Sequence, residues 1–105
     1  MRTLIRLEIP AEAGNAAIKD GRLQQTLERA MEELKPEAAY FGAINGQRGG
    51  FLVIDLADVT DMPSVAERFF ELGATVEMCP AMTAEDVAVG LEKLEPAQAA
   101  ASTVS

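Results

Sequence analysis

The order of periodic segments in this sequence predicts an α+β fold, β-α-β-β-α-β with an added C-terminal helix. Three observations carry that expectation. Residues 4–9 alternate apolar and charged side chains, while residues 51–56 form a nearly continuous apolar run. Two stretches, from Leu23 and from Pro63, repeat apolar residues at helical spacing. Glycine and proline punctuate the chain between these segments. The arrangement is the split βαβ, or ferredoxin-like, order: a four-stranded antiparallel sheet with two helices on one face. With 105 residues the chain has material for one domain. Residues 1–95 are expected to form it, and residues 96–105, which lack a pattern, to form a flexible tail.

In the first strand Ile5, Leu7 and Ile9 fall on one side, with Arg6 and Glu8 on the other. Pro10 ends it, and residues 11–15 read as a loop with Asn15 as a helix cap. Asp20-Gly21 interrupts the helical pattern, which becomes regular from Leu23 through Leu27, Ala30, Met31 and Leu34. Lys35-Pro36 stops it, because the residue before proline avoids the α region. Residues 38–45 and 51–56 read as a hairpin whose loop opens at Asn45-Gly46, carries Gln47 and Arg48, and closes at Gly49-Gly50. Asp61 is the expected cap of the next helix, with Pro63 in its first turn and Gly73 at its left-handed end. Residues 75–80 form the last strand. Thr83 and Asp86 then resemble a capping box, with Val87, Leu91 and Leu94 continuing the helix.

Composition removes several function classes. Nine Lys and Arg against 17 Asp and Glu give a formal charge of −8, which repels phosphate backbones and anionic lipid; neither nucleic acid nor a membrane is an expected partner. The absence of histidine removes Ser/His and Cys/His nucleophile arrangements, imidazole metal sites and the usual near-neutral proton shuttle. No metal and no cofactor are therefore expected. A lone cysteine, Cys79, forms no intrachain disulfide, and charges interrupt the N-terminal apolar run, so a cytoplasmic location is expected.

The second face of the sheet supplies the functional expectation. On the 51–56 strand both alternating sets, Leu52/Ile54/Leu56 and Phe51/Val53/Asp55, are largely apolar. A solvated face needs no such apolarity, so the economical arrangement is a homodimer whose sheets face one another. Ligand-binding candidates for the enclosed space are Arg6, Glu8, Phe51, Val53 and Glu77. Tyr40 and Asp55 are the catalytic candidates, as phenolic proton donor and carboxylate base. A one-residue register shift would put Phe41 in place of Tyr40 and exchange Glu77 for a neighbour. Arg6 and Glu8 serve either as a carboxylate clamp or as an interfacial ion pair. Cys79 reads as a small apolar residue, and the glycine-rich loop lacks the strand-turn-helix context of a phosphate cradle.

The segments Lys35-Pro36-Glu37-Ala38-Ala39-Tyr40-Phe41, Gly46-Gln47-Arg48-Gly49-Gly50 and Phe51-Leu52-Val53-Ile54-Asp55 resemble an uncharacterised family of small bacterial ferredoxin-like, dimeric α/β-barrel proteins. Ala66-Glu67-Arg68-Phe69-Phe70 and residues 76–86 extend the resemblance over most of the chain. It implies the fold and a dimer and brings no catalytic residues. The wider dimeric α/β-barrel group includes cofactor-independent monooxygenases, muconolactone-isomerase-like enzymes, haem-handling enzymes and ligand-sensing modules. Two functional expectations follow: a cytosolic homodimer binding a small organic ligand between its sheets, or a cofactor-independent isomerase or monooxygenase acting on a small, partly aromatic substrate.

Overall fold

Strand β1 (Arg2–Ile9) lies inside the sheet because it can pair on both edges. It runs antiparallel to β3 (Gln47–Asp55) on one side and to β4 (Thr75–Pro80) on the other. Strand β2 (Ala38–Ile44) joins the outer edge of β3, giving the order β2-β3-β1-β4. This computed structural model describes the backbone of residues 1–104 and the side chains of residues 1–94. The ferredoxin-like α+β layout expected from the sequence is the one observed. The expected tail over 96–105 falls on side chains outside that description.

The period-two pattern of β1 places Thr3, Ile5, Leu7 and Ile9 on the helix side, all buried. Leu52 and Ile54 of β3 stand opposite Ile5 and Thr3 in the same layer. Against them pack Ala17 of α1 (Ala11–Lys19), Ala30 of α2 (Arg22–Leu34), and Val65 and Phe69 of α3 (Met62–Phe70). Each large side chain among these contributes roughly 1.5–3 kcal/mol of transfer free energy. The last helix, α4 (Ala84–Val104), leaves Val87, Val89, Leu91 and Leu94 exposed. It starts at a reciprocal capping box: Asp86 N–H donates to Thr83 Oγ1 at 3.1 Å, and Thr83 N–H to Asp86 Oδ2 at 3.0 Å.

Three local expectations are corrected. Residues 11–15 are helical, not a loop, because Pro10 holds φ at −55° and α1 begins at the next residue. Asn15 is therefore inside α1 and caps nothing. The interruption at Asp20-Gly21 is real: Gly21 adopts φ 79° and the chain restarts as α2. The hairpin loop is shorter than expected. Asn45 (φ 54°) and Gly46 (φ 73°) make the whole turn, the pairing of left-handed residues that suits a two-residue connection. Gln47, Arg48, Gly49 and Gly50 consequently belong to β3. Finally, Asp58 rather than Asp61 carries a side-chain cap. Its Oδ1 accepts from the Thr60 N–H at 2.9 Å, at the start of the short 3-10 turn Val59–Asp61 that precedes α3.

Candidate functional site

Strand register places Tyr40, Phe51, Arg6 and Glu77 in one row across β2, β3, β1 and β4, on the face opposite the helices. The adjacent rows carry Val53 with Leu4 and Cys79, and Glu8 with Gly49 and Thr75. The structure therefore brings Arg6, Glu8, Phe51, Val53, Glu77 and Tyr40 onto one surface and settles the register of Tyr40 and Glu77. Tyr40 is 73% exposed and Phe51 39% exposed, so α4 does not cover this part of the face. Arg6 is already neutralised, with Glu8 Oε2 3.1 Å from Nη2 and Glu77 Oε2 3.7 Å from Nη1. Glu8 also accepts from Asn45 Nδ2 at 3.1 Å. The Nε–H of Arg6 is buried without an acceptor among the described residues.

Asp55 lies at the far end of β3, four residues from Phe51, or roughly 13 Å at the rise of an extended strand. It pairs with the N-terminal ammonium at 2.8 Å, and this hydrogen bond, then the ammonium's charge, holds its carboxyl below the usual range. A general base for neutral pH needs the opposite displacement. Asp55 and Tyr40 are not brought together.

On the helix side lies a feature that sequence reasoning missed. Between α2 and the β2–β3 edge is a pocket of about 170 Å³, with Leu7, Ile9, Leu23, Leu27, Phe41 and Phe69 among its apolar walls. Its origin is Gly50 in β3. Gly50 faces the helices between Leu7 and Phe41, where any other residue would fill the layer beneath α2. A Cβ there would meet Phe41 Cδ1 at 2.6 Å, so the glycine lets the Phe41 ring lie over the strand. Arg48 is the one ionisable side chain lining this pocket. The signal that could have found it is Asn45-Gly46 read as a complete two-residue turn, which starts the next strand at Gln47.

A second cleft, about 380 Å³, separates α2 from α3. Arg29 and Arg68 share it with Glu33, Glu67 and Glu71, and Arg68 pairs with Glu33 at 3.0 Å. Its charges largely answer one another. Among the described residues no three His, Cys, Asp or Glu side chains cluster as metal ligands, and no helix is long and apolar enough to cross a membrane.

No family model matches this chain, and no curated protein matches it. Solved structures do. The chain is similar to a 5-chloro-2-hydroxyhydroquinone dehydrochlorinase from Burkholderia phenoliruptrix AC1100, seen in complex with 2,5-dihydroxybenzoquinone. That likeness has 16% identity, covers 81% of this chain and 97% of the other, and gives a TM-score of 0.57. An antibiotic biosynthesis monooxygenase is similar at 16% identity over 79% of this chain and 100% of its own, with a TM-score of 0.47. At such identity the first likeness establishes a shared fold and no more.

Proposed function

We propose that this chain acts as a homodimer joined through its open sheet face and binds a small, partly aromatic organic molecule in the pocket beneath α2. The observation that carries the binding reading is the pocket itself: apolar side chains from sheet and helix around a space where Gly50 faces the helices without a side chain. The open face suits a dimer contact better than a ligand site. Its Arg6 charge is already answered by two carboxylates, while Tyr40, Phe51, Leu4 and Val53 offer apolar area for a partner. An exposed free thiol at Cys79 suits a reducing cytoplasm.

The fold shared with a dehydrochlorinase favours a second reading, a cofactor-independent enzyme acting on a small phenolic or quinone-like substrate. Binding stands first because the pocket lining, apolar apart from the Arg48 guanidinium, offers no carboxylate, thiol or phenol to act as acid or base.

Two measurements test the proposal. Titrating hydroquinone into the labelled protein should shift the backbone amide signals of Leu27, Phe41 and Gly50. An undisturbed spectrum at millimolar probe overturns the pocket reading. Sedimentation at micromolar concentration should give a dimer that Phe51→Glu converts to a folded monomer; a monomeric parent protein overturns the interface.

A further inference from the structure

We infer that the ligand of the pocket beneath α2 carries an anionic group, a carboxylate or phenolate on its ring, and that Arg48 is the residue that selects it. This rests on the pocket reading above and adds the chemistry of the ligand. Four of the six arginines lie within ion-pair distance of a carboxylate: Arg2, Arg6, Arg22 and Arg68. Arg29 shares its cleft with three glutamates. Arg48 alone borders an apolar pocket with no acidic side chain in its lining.

The guanidinium is nonetheless held in place. Arg48 stands opposite Ile9 in the sheet, on the helix side, and its head reaches α1. Nη2 donates to Asn15 Oδ1 at 2.9 Å and Nη1 to the Ala11 carbonyl at 3.5 Å, both neutral acceptors. Gly14 makes the approach possible, since a Cβ there would lie 2.7 Å from Nη1. A guanidinium has five N–H donors, so this anchoring leaves donors to spare and, among the described residues, the whole positive charge unanswered. An Arg fixed in this way is pre-organised for bidentate binding of a planar anion, with the ring of that anion in the apolar space. Because the head remains accessible to solvent, the preference is electrostatic and falls as salt shortens the screening length.

Benzoate and benzamide, nearly equal in shape and different in charge, are the probes. In low salt, benzoate should bind about tenfold more tightly than benzamide, the scale of one charge-assisted pair. High salt should shrink that ratio, and Arg48→Met should bring it to about one. Equal affinity of the two probes for the parent protein overturns the role of Arg48 and leaves the pocket standing. A preference that survives in Arg48→Met overturns it as well. If neither probe binds, the pocket reading fails and this inference fails with it. The comparison on the parent protein decides the matter even if the variant does not fold.

Discussion

On the helix side β1 presents Thr3, Ile5, Leu7 and Ile9, all buried; on the other side the same strand presents Leu4, Arg6 and Glu8, all half-buried. Each side also has an arginine. Arg6 is closed in by Glu8 and Glu77, so its positive charge is answered within the face and the surface offers shape and apolar area. Arg48 is fixed by neutral oxygens beside a pocket, so its charge is still to be answered. The difference separates two kinds of recognition. A face whose ions are paired internally suits a like surface, and a fixed, unanswered cation beside an apolar hollow suits a small anion.

The comparison breaks most visibly at the core. Ile5→Ala, at a fully buried position, should lower unfolding free energy by roughly 2–5 kcal/mol in urea denaturation. The neighbouring Leu4→Ala should cost clearly less in a dilute monomer, and an equal cost would mean that both faces are equally covered.

The glycine pair gives the next largest effect. A Cβ at Gly49 would stand 2.6 Å from the Leu7 carbonyl oxygen, so Gly49→Ala must displace strand backbone and should cost about 1–3 kcal/mol. Thermal unfolding would show it, and an unchanged midpoint would mean that the strands yield freely there.

Arg6→Met should change monomer stability by less than about 1 kcal/mol, since half-exposed ion pairs contribute little. Its larger consequence should appear in the sedimentation equilibrium of the proposed dimer.

The smallest effect is with pH. Asp20, Asp55, Asp58 and Asp86 are all held below the ordinary 3.8, by hydrogen bonds from Arg22, the N-terminal ammonium, Thr60 and Thr83 respectively. Folding thus favours their ionised forms. The stability they contribute is present above the unfolded carboxylate range and is lost as pH falls through the lowered folded values. The melting temperature should hold steady from about pH 7 to pH 5 and decline in more acid solution. Substituting Asp55→Asn should remove part of that decline.

Much of the fold was legible because β1, α2 and α3 carry unambiguous periodicity. Ile5, Leu7 and Ile9 alternate and are buried, and of the helical stripe Met62, Val65, Ala66, Phe69 and Leu72 all but the half-buried Met62 are buried. The placement of Arg6, Glu8, Phe51 and Val53 on the open face followed from the same alternation. Tyr40 and Phe41 resisted, because adjacent aromatics fit either face until the turn length is known. The pocket was illegible for a related reason. A glycine pair in sequence looks like loop punctuation, and only the pairing of Gly50 with both Leu7 and Phe41 shows it as a gap in the layer beneath α2.

The two-residue turn at Asn45-Gly46 has a consequence for how this protein could change. Tyr40 and Phe41 are neighbours in the chain but lie on opposite sides of the sheet, Tyr40 on the open face and Phe41 in the wall of the pocket beneath α2. Turn length decides which aromatic goes to which side. A single inserted residue at that turn would exchange them, giving the pocket a hydroxyl and the open face a bare ring. The chemistry of the two sides of the sheet is therefore tied to one small stretch of backbone and can be altered together in one step.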